Sequence, residues 1–211
     1  MRKLPIEHPF FDWMGRIGDW MILNVLFVIT SFPVITIGMS ATALYKVALR
    51  RVRGESRYAA REYFQACREE WKQSTKLWLL FLITGGILLF DILYSKNLWK
   101  ILNIAIGILA ALWCFTFSYA FPLQARFQNS MKNTLLNALL LSFRNLPFTI
   151  VIVLLNAVPA VCIVMGEFIT MIAMPIFCVI GFSLIVGINS MLFTKIFRVF
   201  EEKENENRTE P

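Results

Sequence analysis

Histidine and cysteine are scarce in this sequence, and their scarcity excludes several kinds of site. His8 is the single histidine among 211 residues, so a histidine-based metal site or catalytic base has almost no raw material. The four cysteines include no C-x-x-C pair, and three lie inside apolar runs, where cysteine behaves as a small core residue. We therefore expect neither a metal site nor a disulfide framework.

The sequence also lacks the motifs that mark common enzymes. It has no glycine-rich phosphate loop, no G-x-S-x-G elbow and no H-E-x-x-H pair. Ser31, Ser118 and Ser183 lie in apolar runs without a histidine partner, which is typical of helix-packing hydroxyls rather than nucleophiles. We therefore expect a protein that is not an enzyme and that binds no cofactor.

Charged residues are few, and apolar residues dominate. Only 17% of the residues are charged and 57% are hydrophobic, whereas an average soluble domain has ~25% and ~45–50%. A soluble chain of this size cannot hide so many apolar side chains in one core, so the lipid bilayer is the expected solvent. The net charge is +7, and the cations cluster beside apolar runs. This placement favours anionic lipid headgroups over nucleic acid as the counter-charge.

The cations are concentrated in one segment between two apolar runs. Residues 41–76 carry nine of the 21 lysines and arginines. By contrast, residues 20–45 and residues 77–90 contain no charged residue. A basic loop between apolar runs is typical of the cytoplasmic side of a membrane protein.

These patterns predict an all-α fold, a polytopic transmembrane helix bundle with cytoplasmic amphipathic helices. The bundle forms one domain, 20–194, with about five spans expected at residues 20–37, 77–94, 101–119, 146–165 and 168–194. An amphipathic segment, 1–19, precedes this domain. A charged tail, 195–211, follows it and is expected to be disordered or a frayed helix end.

The distribution of cations predicts an orientation. With five spans, the basic segment, residues 126–144 and the C-terminal tail share a side that holds sixteen cations, against five on the other side. The positive-inside rule then places the C-terminus in the cytoplasm and the N-terminus outside. This placement depends on Pro33, because a proline that splits the first span into a hairpin would move the N-terminus to the other side.

Two segments outside the spans have amphipathic patterns. In residues 1–19, Phe10, Trp13, Met14 and Ile17 share one helical face, which either lies at the membrane interface or packs on other helices. Residues 126–144 repeat apolar side chains at helical spacing and predict a second amphipathic helix that leads into a span.

The basic segment itself predicts a helix over residues 57–76, with Ser56 as its N-cap. Ala60, Phe64, Cys67 and Trp71 are expected to form its apolar stripe. Such a helix either lies on the inner leaflet or docks a cytoplasmic partner. The candidate residues for docking on lipid or on a partner are Arg50, Arg51, Arg53, Arg57, Arg61, Phe64, Arg68, Trp71 and Lys72.

Four polar residues lie within the predicted spans. Asn24, Asn156 and Asn189 are deep in them, where asparagine forms interhelical hydrogen bonds or lines a substrate path, and packing is favoured. Asp91 lies three residues before Tyr94, near the end of the second span. An acid there either reaches water at the interface, which is favoured, or marks a functional site.

Scattered motifs resemble the YesL-like family of small bacterial integral membrane proteins. They comprise Phe11-Asp12-Trp13, Gly15-Arg16-Ile17, Pro33 to Gly38, Ala41 to Tyr45, Phe121-Pro122-Leu123, Asn133-Thr134 and Asn145-Leu146-Pro147. The resemblance extends to about residue 150 and implies a multi-pass protein of the bacterial cell membrane. Members of that family typically accompany carbohydrate ABC importers, which implies importer subunits as partners, and the family offers no catalytic residues to carry over.

Three functions follow as hypotheses. The leading one is an accessory or associated subunit of a carbohydrate ABC uptake system, in contact with the bilayer and able to form homo-oligomers. The second is a transport subunit or carrier, although Ala59-Ala60-Arg61-Glu62 is a poor match to the motif by which importer subunits dock their ATPase. The third is a membrane sensor or regulator that uses its basic loop.

Overall fold

The computed structural model describes residues 9–56, 58–94, 100–127 and 129–209. These ranges are helical and contain no β-strand. The helices are α1 (Pro9–Ser31), α2 (Ile37–Val52), α3 (Ala59–Tyr94), α4 (Lys100–Arg126), α5 (Met131–Arg144), α6 (Leu146–Val164), α7 (Glu167–Ile176) and α8 (Phe182–Thr209). A 3-10 turn, Val34–Thr36, precedes α2, and a π-helical segment, Phe177–Gly181, joins α7 to α8.

Four helical stretches in the described part are long and apolar enough to cross a membrane. They are Ala59–Tyr94, Ile101–Arg126, Leu146–Val164 and Glu167–Val199. Large apolar side chains on them point outward, among them Ile83, Leu154 and Met171, which are 61%, 64% and 78% exposed. Such surfaces are stable against lipid tails and costly in water, so the chain is a multi-pass membrane protein.

The predicted first span, residues 20–37, is wrong as a single helix. Helix α1 ends at Ser31, and α2 starts at Ile37 after a break around Pro33. Asp19 lies just before the apolar part of α1 and forms an ion pair with Arg51 in the last turn of α2. The two helices are therefore antiparallel, and the start of α1 lies at the same end of the molecule as the basic segment, not at the opposite end as predicted.

Hydrogen bonds of threonine side chains close the other end of this hairpin. Thr36 donates through its hydroxyl to the carbonyl of Thr30 at 2.6 Å, and Ser40 donates to the Thr30 hydroxyl at 2.9 Å. The Trp78 indole donates to the carbonyl of Val34 at 2.8 Å. Because proline interrupts the backbone ladder here, these side chains supply partners to backbone groups at the turn.

The predicted cytoplasmic helix and second span are one helix, α3. It runs without a break across the predicted boundary between Lys76 and Leu77. The prediction that Ser56 caps this helix is also wrong. The Ser56 hydroxyl is buried without a hydrogen-bond partner among the described residues, and the Tyr58 amide instead donates to the Glu62 carboxylate at 3.3 Å.

Other helices also pass beyond their predicted ends. Helix α1 crosses the predicted boundary at residue 19, and α4 continues through Pro122 to Arg126. Helix α8 runs to Thr209, so the backbone of the predicted tail is helical over most of its length. A turn at Gly166 separates α6 from α7, with a φ of 117° that favours glycine.

Two clusters of buried side chains hold the helices together. Tyr119, Phe193 and Phe197 belong to a cluster that joins α4, α5 and α8 to α2 and α3. Leu23, Ala43 and Tyr63 belong to a second cluster that joins the hairpin to the first turns of α3. The hairpin and the start of α3 therefore form one packed unit, which carries most of the basic segment.

Candidate functional site

One outward face of α3 combines exposed cations and exposed aromatic side chains. Its members are spaced by three or four residues, which places them on one side of a helix, and all are exposed. We call this the basic-aromatic face, and it consists of Arg61, Phe64, Arg68, Trp71 and Lys72. The structure thus brings five of the candidate docking residues together on one surface.

The predicted apolar stripe of this helix is divided in the structure. Phe64 and Trp71 are 50% and 51% exposed, whereas Cys67 is buried. The buried face is displaced by one residue and contains Tyr63, Ala66, Cys67, Glu70 and Ser74. Both faces have apolar residues at helical spacing, and the contacts with α1 and α2 decide which one is buried.

The length of α3 carries part of the basic-aromatic face beyond the apolar layer. The helix has 36 residues, or ~54 Å at ~1.5 Å per residue, against a hydrocarbon core of ~30 Å. Its uncharged apolar stretch begins at Leu77. Phe64 lies thirteen residues earlier, which corresponds to ~20 Å, whereas the headgroup layer on each side adds only ~5–8 Å. Phe64 is therefore exposed beyond the headgroups if α3 follows the membrane normal.

A buried charged network lies behind this face. The Lys46 ammonium on α2 donates to the carboxylates of Glu69 and Glu70 at 2.9 Å and 2.8 Å. The second Glu70 oxygen accepts a hydrogen bond from Gln124 of α4 at 2.9 Å. Glu70 is only 7% exposed, so these donors supply the contacts that its charge loses on leaving water.

The network continues to α5. The Gln124 carbonyl oxygen accepts hydrogen bonds from Gln73 at 2.8 Å and from Thr134 at 3.3 Å. Burial by itself lowers the pKa of Lys46, but its hydrogen bonds to Glu69 and Glu70 outweigh that effect and raise the pKa above its ordinary value. Lys46 is therefore charged at neutral pH, and the network ties α2, α3, α4 and α5 together.

Sequence reasoning did not single out Lys46, Glu70 or Gln124. One signal was available, because Lys46 is the first cation after a run of uncharged residues that begins at Trp20. A cation at the end of such a run requires a partner when it is buried. Nothing in the sequence pointed to Glu70 rather than another acid of the chain as that partner.

The remaining arginines of the basic segment have different surroundings. Arg50 and Arg53 line a polar cavity of about 590 Å³ together with the network residues. Arg53 also holds Glu55 in two hydrogen bonds of 2.8 Å and 2.9 Å, which lower the pKa of that carboxyl. Arg51 instead turns toward α1, where it pairs with Asp19 and lies 5.7 Å from the centroid of the Trp20 ring. Arg57 lies outside the described residues.

Asn24 holds α1 against the π-helical segment. Its amide donates to the carbonyls of Phe177 and Cys178, each at 2.8 Å, and its side-chain oxygen accepts from the Ser183 amide at 2.8 Å. A π-helical turn leaves backbone groups without their usual partners, and Asn24 satisfies three of them. The structure thus gives this buried asparagine a role in helix packing.

Asn156 and Asn189 form a second polar contact, between α6 and α8. Asn189 donates to the Asn156 side chain at 2.8 Å and to the Tyr45 hydroxyl at 3.3 Å. Tyr45 and Asn156 also line a mostly apolar cavity of about 270 Å³, with Trp78 and Phe117 among its walls. These two asparagines therefore pack helices, and Asn156 also borders a cavity.

Asp91 lies in the last turn of α3 and is partly exposed between the exposed Phe90 and Ile92. Within the described ranges it has no ion pair. The interfacial and functional interpretations of this acid both stay predictions.

Part of the chain is similar to a known protein family. The model of a family described as a protein of unknown function, DUF624, matches residues 20–92. The match covers about a third of the chain and contains α1 from Trp20 onward, α2 and most of α3, with Lys46, Glu70 and the basic-aromatic face. No curated protein matches, and no solved structure does.

Proposed function

We propose that the chain is a non-enzymatic membrane protein that docks a partner protein through the basic-aromatic face. The partner proposed by resemblance is a carbohydrate ABC importer of the bacterial cell membrane. The observation that carries the proposal is that half-exposed Phe64 and Trp71 alternate with the exposed cations Arg61 and Arg68 on a rigid helix. Aromatic residues and arginine are enriched where protein interfaces concentrate their binding energy.

Two features favour a protein occupant over the lipid headgroups. Phe64 lies ~20 Å along α3 from the start of its apolar stretch, which is farther than the headgroup layer extends. The face is also held rigid from behind, because Glu70 and Tyr63 on the opposite side of α3 are bound to α2 and α1. A preorganised surface loses little conformational entropy on binding. Three cations on it favour an acidic partner surface.

The proposal includes an orientation. The basic segment lies in the cytoplasm by the positive-inside rule. Since Asp19 pairs with Arg51, the start of α1 shares that side in this proposal. Arg198, in the C-terminal half of α8, lines a cavity with Arg53 of the basic segment, which favours the same side for the C-terminal end of α8. With four spans, both termini are cytoplasmic, and the docking face is presented to a cytoplasmic domain or loop of the importer.

Site-specific photo-crosslinking tests the docking face. Benzoylphenylalanine is introduced at Phe64, at Trp71 and, as a control, at Leu140, which is 58% exposed on α5. We expect crosslinks from positions 64 and 71 to an importer subunit in native membranes, and none to that subunit from position 140. Crosslinks from position 64 to lipid alone would contradict the proposal and favour a helix that lies on the inner leaflet.

A carrier function is the second candidate. A cavity of about 270 Å³ lies between α2, α4, α6 and α8, and the polar side chains of Tyr45 and Asn156 in its wall could contact a solute. Solute flux into proteoliposomes that contain this protein alone would favour the carrier. Absence of flux together with crosslinks to importer subunits would favour the accessory.

A further inference from the structure

The cavity of about 270 Å³ lies at the depth of two spanning helices. Residues of α1, α2, α3, α4, α6 and α8 border it, and we call it the interhelical cavity. Asn156 in its wall lies near the middle of α6, and Phe182 lies near the middle of the apolar stretch Glu167–Val199. Because both stretches are long and apolar enough to cross a membrane, we place the cavity within the hydrocarbon core.

The wall of the interhelical cavity favours an uncharged ligand. The described residues of the wall carry no charge, so an ionic solute would lose its hydration there without compensation. An apolar cavity of ~150 Å³ stays dry and binds benzene. At about 270 Å³, this cavity takes a larger apolar molecule. Aromatic side chains supply much of the wall, and they are Phe27, Tyr45, Trp78, Phe117, Phe121 and Phe182.

Two side chains of the wall keep hydrogen-bond donors without an acceptor among the described residues. Asn189 donates through its amide nitrogen to the Asn156 oxygen at 2.8 Å and to the Tyr45 hydroxyl oxygen at 3.3 Å. The Tyr45 O–H and the Asn156 N–H groups are left for a ligand. By contrast, Ser118 and Trp78 in the wall donate to backbone carbonyls. Because Tyr45 and Asn156 bond to the same nitrogen, their donors lie close together and form one polar spot.

Two irregularities of the spanning helices occur at the interhelical cavity. Pro159 lies in its wall and within α6, where it removes a backbone N–H from the helix. The π-helical segment, Phe177–Gly181, ends directly before Phe182, which is also in the wall. π-Helical turns are frequent at functional sites, and interrupted helices form many binding sites near the bilayer midplane.

We propose that the interhelical cavity binds an uncharged, largely apolar molecule that carries one hydrogen-bond-accepting oxygen, such as a ketone. The body of the ligand packs on the aromatic wall, and its oxygen accepts from Tyr45 or Asn156. Such a molecule dissolves in the hydrocarbon core, so the bilayer supplies it to the site. A ligand of this kind satisfies both the apolar wall and the polar spot, whereas a purely apolar one leaves the donors without a partner.

This inference goes beyond the proposed docking function and does not rest on it. The interhelical cavity lies between helices, whereas the basic-aromatic face lies on the outward side of α3. The inference names a ligand class for the cavity and requires no transport of that ligand across the membrane. Failure of the crosslinks from position 64 would leave it standing, and failure of ligand binding would leave the docking proposal standing.

Benzophenone is the probe, because it is uncharged and aromatic, carries one carbonyl oxygen and crosslinks to nearby C–H bonds on irradiation. The full-length protein is labelled in phosphatidylcholine nanodiscs, and mass spectrometry locates the adducts. The matched competitor is the diphenylethylene in which a methylene group replaces the carbonyl oxygen. Concentrations of both compounds are expressed per lipid, which corrects for their different partitioning.

Three variants accompany the wild type. Ala41→Phe places a ring in the cavity, because Ala41 is part of its wall. Ala111→Phe is the matched control, which adds the same ring at an exposed position of α4 outside the wall. Tyr45→Phe/Asn156→Leu removes the polar spot and keeps apolar side chains there.

We expect saturable labelling of the cavity wall by benzophenone in wild type, and binding of the diphenylethylene that is about fivefold weaker. Ala41→Phe should lose most of this labelling, whereas Ala111→Phe should match wild type. In Tyr45→Phe/Asn156→Leu the two compounds should bind equally. Labelling that does not saturate, labelling that Ala41→Phe leaves unchanged, or equal binding of the two compounds to wild type would overturn the proposal. If Ala41→Phe does not purify as a folded protein, Ala41→Leu replaces it under the same criterion.

Discussion

The Lys46 ammonium lies 2.8 Å from the Glu70 carboxylate, and neither side chain is more than 12% exposed. A buried ion pair contributes little net stability, but removal of one partner leaves a charge without compensation. This pair also connects to α4 through Gln124, so its loss affects the packing of three helices.

Lys46→Met should destabilise the protein by ~3 kcal/mol, because Glu70 remains buried without its cation. The double variant Lys46→Met/Glu70→Gln should recover most of that loss, since a neutral amide needs no counter-charge. Lys72→Met removes an exposed cation from the same region and should change stability by less than ~0.5 kcal/mol. Thermal unfolding in detergent, followed by tryptophan fluorescence, measures all three. Equal effects of Lys46→Met and Lys72→Met would contradict the role of the network.

The same pair predicts a dependence on pH at the alkaline end. The folded-state pKa of Lys46 lies above its ordinary value, so its stabilising effect is fully present below ~10.4 and is lost as the pH rises through the folded-state pKa. The difference in melting temperature between wild type and Lys46→Met should therefore be constant near neutral pH and shrink above ~10.4.

Close packing of α2 on α3 depends on Gly38. A Cβ atom at this position would collide with the Trp78 Cβ and the Ser74 carbonyl. Gly38→Ala should therefore destabilise by ~1–3 kcal/mol. Gly86→Ala is the matched control on α3, where nothing lies within 4 Å of the added atom, and it should be neutral or slightly stabilising. The prediction fails if both variants melt at the temperature of wild type.

Asn24 should be required for the π-helical segment to keep its geometry. Asn24→Leu removes three hydrogen bonds and should cost ~2 kcal/mol. Asn24→Asp should also destabilise, because it places a carboxylate against two carbonyl oxygens. Asn133→Leu, at an exposed position of α5, serves as the control. Hydrogen exchange measures the effect locally, and the Ser183 amide should exchange faster in Asn24→Leu, which lacks the acceptor for it, than in wild type or in Asn133→Leu.

The hairpin predicts that both termini lie on one side of the membrane. Epitope tags at the N-terminus and the C-terminus should both be cleaved by protease in inverted membrane vesicles, and both should be protected in intact spheroplasts. An N-terminal tag that is cleaved in spheroplasts would restore the orientation predicted for five spans and would be inconsistent with the pairing of Asp19 and Arg51.

Much of the helical architecture can be predicted from hydropathy, because apolar stretches long enough to cross a bilayer have few alternatives to a helix. The uncharged runs that begin at Leu77 and Leu146 each lie in a helix that is long and apolar enough to cross a membrane. The first run left two arrangements open, one span or a hairpin split at Pro33, and only tertiary packing shows the hairpin. The sequence of that run fits either arrangement.

The candidate site was less predictable, for a specific reason. Around residues 59–71 of α3, apolar side chains at helical spacing form two overlapping stripes, one with Tyr63 and one with Phe64. The stripe with Tyr63 is buried because its hydroxyl bonds to Thr30 and because Glu70 meets Lys46. Both partners are more than twenty residues away in sequence, so a local pattern contains no information about them.

The most direct measurement of the central claim is quantitative co-purification through a C-terminal tag in mild detergent, from membranes of the native host. Wild type is compared with a triple variant of the basic-aromatic face, Arg61→Gln/Arg68→Gln/Lys72→Gln. The control is Lys132→Gln/Arg144→Gln, which neutralises exposed cations of α5. We predict that wild type and the α5 control recover the membrane subunits of a carbohydrate importer in comparable amounts, whereas the triple variant recovers at least about tenfold less. Recovery of no importer subunit with wild type, or equal recovery with all three proteins, would contradict the account.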